Sequence, residues 1–387
     1  MLSDAVQNET KDFIRDIFEE SGFKQYPTKH VLLMSFTSLH GEFTKCNGNV
    51  FSFVSTELFD SVASCIGGSF IQSILKYSSS EFIMEKLQLY SSQEDNCPYS
   101  IKVPQDMEDY FYRRLTSDMN RRHFVDILSN KLFENAANRT QFIKYLEKRV
   151  KSENLVDATT GSTVFHIVSA LGYSDFLKHF LEFDNCQNIN TRNFKGRTSL
   201  HLASKNGKMQ CVECLLQQKV VLDRIDKMDK KGRTALHYAC RAGDKDIVKC
   251  LIGSKASTNI VDKKSRTPLH IACIKGFLDT VKCLAENKAN INESGKDGKT
   301  PLHYACENRF GNIVNTLIME NAIVNKPDDQ DLTPLHIACT YGYEEIVKLL
   351  LDNKPLTNIK NKQGQTAVNI AIQKGFQNIS KLIIDSS

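Results

Sequence analysis

The chain has 387 residues, of which 41% are hydrophobic and 25% are charged, and its formal net charge is +5. This length predicts at least two domains, and the composition is that of a globular protein, which excludes extensive disorder. No run of about 18 apolar residues occurs, which excludes a membrane-spanning helix, and residues 1–10 are too polar for a secretory signal. We expect a cytoplasmic protein, with the nucleus as an alternative location.

The N-terminal 103 residues contain no repeat and are interpreted element by element. Apolar residues at helical spacing predict helices over residues 11–20 and 28–39. Residues 42–45 and 50–54 predict a β-hairpin, and Thr56 is a suitable N-cap for a third helix. The order helix, helix, hairpin, helix predicts a small α+β domain of the winged-helix type over residues 1–103.

From residue 157 onward the sequence is periodic. Seven segments start with a threonine, at Thr163, Thr198, Thr234, Thr267, Thr300, Thr333 and Thr366. Six of them continue as Thr-x-x-His, and Asn369 replaces the histidine in the seventh. The successive spacings are 35, 36, 33, 33, 33 and 33 residues, so the two longer intervals are small insertions into a constant period.

Other positions of the period predict a helix–turn–helix unit. A Gly two residues before the Thr suits a left-handed turn, and we expect Ser265 and Asp331 to strain or reshape the two turns in which they replace it. Another Gly, nine residues after the Thr, ends the first helix. Arg309 occupies that position in the fifth segment, so we expect that turn to be displaced towards Gly311. Apolar residues at helical spacing then predict a second helix.

The 33-residue period with Thr-Pro-Leu-His-x-Ala, as in residues 267–272, resembles the ankyrin repeat. The resemblance covers residues 157–387 and implies a mainly α solenoid of seven repeats joined by short β-hairpin loops. Proteins of this family bind other proteins. The resemblance therefore implies a non-enzymatic scaffold or adaptor with a protein partner.

The histidines and cysteines of the repeats invite a metal or catalytic interpretation, which we reject. The resemblance implies that each motif His forms hydrogen bonds to backbone groups within and between repeats. Cys240, Cys273, Cys306 and Cys339 recur once per repeat, about 10 Å apart if the helices pack normally, which is too far for disulfides or a shared metal. The Cys211-x-x-Cys214 pair lacks a second pair at zinc-site spacing. We predict no metal, no cofactor and no catalytic residue.

Parts of residues 1–156 resemble a second group of proteins. Residues 38–60 resemble the winged-helix segment that follows the nucleotide-binding core of invertebrate STAND/NACHT-type ankyrin proteins. Residues 82–87, 110–115 and 140–146 resemble the helical linker of those proteins, which implies a linker over residues 104–156. The phosphate-binding loop of that group does not occur in this chain. The resemblance implies a truncated signalling or innate-immune protein as an alternative function.

The resemblance also places partner contacts on the hairpin tips and on the inward face of the first helices. The predicted partner-binding residues are Phe194, Lys195, Arg197, Lys205, Lys230, Lys231, Arg233, Arg241, Lys263, Lys264, Arg266, Lys275, Lys296, Lys299 and Tyr341. Most of them are basic, whereas residues 1–150 carry 17 Lys and Arg against 20 Asp and Glu. The positive charge therefore lies on the predicted binding face.

The positive charge of this face is compatible with two kinds of partner and with the absence of any function. An acidic protein surface is the leading hypothesis, because the field of the lysines would steer it. A nucleic acid is the alternative, weakened by the interspersed Asp297 and Glu307 and by the scarcity of aromatic residues on that face. Lysines are also common at exposed hairpin tips without any function.

Overall fold

The computed structural model describes residues 44–47, 50–53, 87–89, 101–103, 107–119, 124–146, 156–183 and 188–386. The chain divides into two compact units, Met1–Asp157 and Ala158–Ser387. In the first unit, strand β1 (Thr44–Asn47) pairs antiparallel with β2 (Val50–Phe53), which confirms the predicted hairpin. A second pair, parallel, joins β3 (Leu87–Leu89) to β4 (Ile101–Val103) and was not predicted. The helices predicted over residues 11–20 and 28–39 and after Thr56 lie outside the described residues.

Three helices follow in the first unit: α1 (Glu108–Asp118), α2 (Phe124–Leu128) and α3 (Ala136–Leu146), with a 3₁₀ turn at Lys131–Glu134. They pack around an aromatic core in which Tyr112 stacks on Phe142 at 5.7 Å and Phe133 on Phe142 at 5.0 Å between ring centroids. Residues 110–115 and 140–146 are helical, as predicted. The domain bounds 1–103 and 104–156 stay a prediction.

The second unit is a series of helix pairs. In the described part of residues 158–386 there are seven pairs, namely α4 (Val164–Leu171) with α5 (Ser174–Phe183), α6 (Ser199–Lys205) with α7 (Met209–Leu216), α9 (Ala235–Ala242) with α10 (Lys245–Gly253), α11 (Pro268–Lys275) with α12 (Leu278–Glu286), α13 (Pro301–Glu307) with α14 (Gly311–Met319), α15 (Pro334–Tyr341) with α16 (Glu344–Leu351), and α17 (Ala367–Gln373) with α18 (Gln377–Asp385). A four-residue helix, α8 (Lys219–Leu222), lies in the interval of 36 residues, where the spacing predicted an insertion.

The first helix of each pair packs against the first helices of the neighbouring pairs, and these contacts run from α4 to α17. Small and apolar side chains make this possible: Ala203, Ala239, Ala272, Ala305, Ala338 and Ala371 are fully buried. No single pair can bury its apolar face alone, so stability depends on stacking. Turns, not regular strands, form the hairpin loops between the described pairs.

Two turn predictions have different outcomes. Ser265 (φ 54) and Asp331 (φ 55) keep the left-handed conformation of the glycines that they replace, which costs backbone strain. The predicted displacement at Arg309 is wrong, because Arg309 itself adopts a left-handed backbone (φ 61). The next amide, Phe310 N–H, then donates to Ala305 O at 3.0 Å, the same bond that Phe277 makes to Ala272 in the preceding pair. The turn therefore stays in register.

Candidate protein-binding surface

The histidines of the motif are structural. In the pair that starts at Thr300, the Thr300 N–H donates to Nδ1 of His303 at 3.1 Å, so the ring proton lies on Nε2. Nε2 of His303 then donates to the Leu332 carbonyl of the next pair at 3.0 Å. The same two bonds recur at the histidines of the other five Thr-x-x-His segments, which confirms their predicted role.

Burial holds these rings neutral. It lowers the pKa of His303 to about 4, and the hydrogen bond to the Leu332 carbonyl opposes this only in part. The pKa values of the other five are also lowered, for the same reason. A neutral imidazole with both nitrogens occupied by backbone and threonine partners is unable to bind a metal or transfer a proton.

The repeated cysteines are equally inert. The eight cysteines within residues 188–386 are free thiols, and all but Cys250 are buried, as the sequence predicted. Burial raises the pKa of Cys339 to about 12, and the pKa values of Cys273 and Cys306 are raised further. Among the residues that the structure describes, no group of three or more His, Cys, Asp or Glu side chains could hold a metal ion.

The hairpin tips are joined to one another by backbone hydrogen bonds. Lys230 N–H donates to Lys195 O at 3.1 Å, Lys263 N–H to Lys231 O at 2.9 Å, and Lys296 N–H to Lys264 O at 3.2 Å. The second, third and fourth tips are also held from within by the side chains of Asn193, Asp229 and Asp262; Oδ1 of Asp229, for example, accepts from the Lys231 and Arg233 amides at 2.8 and 2.9 Å. Gly295 stands at this position in the fifth tip and offers no such acceptor. The tips therefore form one continuous line of backbone.

Six exposed lysines follow one another along this line, and we call them the lysine row: Lys195, Lys230, Lys231, Lys263, Lys264 and Lys296. Within the described part of the chain, none of their ammonium groups has a carboxylate partner. Like charges held side by side repel one another and weaken the fold slightly. Their arrangement therefore favours a role outside the fold.

The two ends of the lysine row differ in chemistry. At one end Phe194 is 59% exposed, and its ring lies over Gly161, where an added Cβ would come within 2.6 Å of it. At the other end the line continues with two exposed carboxylates, since Asp329 N–H donates to Asp297 O at 3.1 Å. Exposed carboxylates thus follow the lysines, at Asp297 of the fifth tip and Asp329 of the sixth.

Four of the seven motif threonines follow a basic residue, and these four residues have a different environment. Arg197, Arg233, Arg266 and Lys299 were predicted to contact a partner, and their side chains are only 13–22% exposed. Arg266 pairs with Asp262 at 2.7 Å and Lys299 with Glu307 at 3.0 Å, between side-chain nitrogen and oxygen. Their charge is compensated inside the protein, which leaves less of it for a partner.

The remaining predicted residues lie at the ends of the first helices. Lys205, Arg241 and Lys275 are exposed in last turns, where a cation is also favoured by the helix dipole. Tyr341, 48% exposed, stacks on Tyr343 with ring centroids 5.6 Å apart. The guanidinium of Arg309 lies 5.6 Å from the Tyr343 ring centroid. The sequence did not indicate that Arg309 and Tyr343 lie beside Tyr341 on this surface, because their contact joins two neighbouring helix pairs.

An open depression of about 420 Å³ adjoins the lysine row, and it combines the exposed side chains of Met228 and Val261 with those of Lys230 and Lys263. Apolar and basic groups therefore meet beside the third and fourth tips.

Across the described helices, none has both the length and the apolar character needed to cross a membrane.

A sequence model of ankyrin repeats matches residues 134–226, 164–262, 241–328 and 318–387, which together span well over half of the chain. No curated protein shows significant similarity to the chain. The matches begin at residue 134, and no comparison supports the resemblance of the N-terminal part to STAND/NACHT-type proteins, which stays a prediction. The chain belongs to the ankyrin-repeat family.

Proposed function

We propose that the protein is a non-enzymatic scaffold or adaptor whose seven ankyrin repeats bind an acidic protein partner along the hairpin tips and the concave face. Ankyrin repeats generally mediate protein–protein interaction, and the helix pairs have the stacking on which that role depends. The observation that carries the proposal is the lysine row. The four basic residues that directly precede a motif Thr have carboxylate partners within the protein, whereas the six lysines of the row have none among the described residues.

A nucleic acid is the second candidate, since a line of cations also attracts phosphates. Two features disfavour it. The carboxylates of Asp297 and Asp329 continue the line and would repel a phosphate backbone. The exposed ring of Phe194 lies at one end of the row, but residues 229–233, 262–266 and 295–299 of the next three tips contain no aromatic side chain, whereas single-strand binders stack successive bases on such side chains along a basic groove.

The test compares two labelled probes on the full chain by fluorescence anisotropy. One is an unstructured peptide of Glu, Gly and Ser, and the other is an oligothymidylate with the same number of negative charges. We expect tighter, salt-sensitive binding of the peptide. Tighter binding of the oligothymidylate would favour the nucleic-acid alternative, and no binding of either probe would refute a function of the lysine row.

Matched variants locate the site. Reversing Lys231, Lys263 and Lys264 to Glu should abolish peptide binding. The control reverses Lys178, Lys249 and Lys282, which are exposed on second helices. Both variants change the net charge equally, so a loss in the control alone, or an equal loss in both, would contradict the assignment.

A further inference from the structure

We infer that the lysine row recognises an extended segment of the partner in which a carboxylate recurs at every third residue. This inference rests on the proposed function and specifies the partner of the same surface. It follows from the spacing of the tips and from the way in which the row ends.

The first step concerns distance along the row. Neighbouring helix pairs stack about 10 Å apart, so equivalent positions on successive tips are separated by that distance. The backbone bonds from Lys230 to Lys195, from Lys263 to Lys231 and from Lys296 to Lys264 keep this step constant, since a change in spacing would break them. The lysine side chains can rotate, but the backbone positions that carry them recur at a regular distance.

An extended chain matches this scale. A polyproline II segment rises about 3.1 Å per residue with three residues per turn, so every third residue shares one face and recurs at about 9 Å. One carboxylate per triplet therefore faces one tip per repeat. The row covers four tips, which corresponds to four carboxylates in about ten residues.

Charge fixes where the acidic pattern stops. The fifth tip carries Asp297 beside Lys296, and the sixth tip carries Asp329; both are exposed, so a carboxylate of the partner beyond the fifth tip would be repelled. The chemistry of the row thus fits a short acidic stretch and disfavours a long polyanion. The exposed Lys205, Arg241 and Lys275 form a second basic line on the same repeats, which a thin extended segment can approach with its other faces.

The experiment compares rigid peptides whose carboxylates recur at known distances. One consists of six Glu-Pro-Pro triplets, which place all carboxylates on one face. Its partner has the same composition, with glutamates alternately two and four residues apart, so that they face different directions. An Ala-rich helical peptide with Glu at every seventh residue, which also repeats at about 10.5 Å, is the third probe. Binding to the full chain is measured at low ionic strength.

We expect the triplet peptide to bind about fivefold more tightly than the permuted peptide, as in-register exposed ion pairs are individually weak. The advantage should vanish in the Lys263→Glu, Lys264→Glu variant and persist in the Lys249→Glu, Lys282→Glu control. Equal affinities of the two proline peptides, or tighter binding of the helical one, would overturn the inference and leave the proposed function intact. Failure of all three peptides and of the unstructured peptide would overturn both.

Discussion

Replacing His303 with Asn should destabilise the protein and at the same time reduce the pH dependence of its stability. The protein supplies the template, because Asn369 occupies the motif position in the seventh segment. There Oδ1 of Asn369 accepts from the Thr366 amide at 3.0 Å, which preserves the cap without an imidazole. His303→Asn should likewise keep the cap at Thr300 and lose the bond to the Leu332 carbonyl.

The magnitude has two parts. At pH 7.5 the Leu332 carbonyl loses one of its two hydrogen bonds and keeps the one from the Asp328 amide, so the loss costs about 0.5–1.5 kcal/mol. Burial lowers the pKa of His303 to about 4 in the folded protein. As the pH falls, the ring is therefore protonated near pH 6.5 in the unfolded chain but only near pH 4 in the folded chain. Stability from the neutral ring is therefore complete above pH 6.5 and is lost as the pH falls towards 4, by about 1.3 kcal/mol per histidine at pH 5.5.

Three further histidines have a pKa of about 4: His201, His237 and His270. The four together should cost the wild-type protein about 5 kcal/mol between pH 7.5 and pH 5.5, which is comparable to the whole stability of a small domain. The His303→Asn protein should lose about 1.3 kcal/mol less over the same interval.

The assay is urea unfolding of the full chain, followed by circular dichroism at both pH values. Val314→Ala, in the buried face of α14, is the control, because it removes apolar packing without removing a titrating group. We expect the difference between wild type and His303→Asn to shrink at pH 5.5 and the difference for Val314→Ala to stay constant. A His303→Asn difference that is the same at both pH values would refute the linkage argument.

Three other predictions concern stability and are checked by the urea midpoint at pH 7.5. Gly295→Asp should stabilise the protein by about 1 kcal/mol, because the new carboxylate can accept from the amides of its tip as Asp229 does. It can also face the Tyr304 hydroxyl, which lies 3.6 Å from a Cβ added at Gly295. A lower midpoint would contradict this. Ser265→Gly should stabilise by about 1 kcal/mol, since the left-handed backbone then carries no penalty, and no change would mean that the turn is unstrained. Ser204→Cys should also stabilise by about 1 kcal/mol, because the buried Ser204 hydroxyl has no hydrogen-bond partner; a loss of stability would show that the hydroxyl is satisfied.

The period of the sequence predicted the paired helices of the C-terminal part, and the resemblance to the ankyrin repeat implied the role of the histidines. Both follow from local chemistry that repeats: Thr caps a helix, Gly ends it, and a ring three residues after Thr reaches the amide of that Thr. The period also located the insertion that contains α8. The same logic was unreliable where a local rule had an exception, as at Arg309, whose backbone adopts the conformation of the glycine that it replaces.

Which basic residues remain available was decided by tertiary structure. In the sequence, Arg233 and Lys231 are both basic residues of the same tip and were both predicted to bind the partner. In the structure, Nε of Arg233 lies 3.5 Å from Oδ2 of Asp262 in the next repeat, whereas Lys231 has no such carboxylate among the described residues. The alignment of the tips into one line likewise depends on backbone bonds between residues more than thirty positions apart, such as Lys230 and Lys195. A sequence period fixes what each repeat contains, but charge compensation and continuity arise only when neighbouring repeats stack.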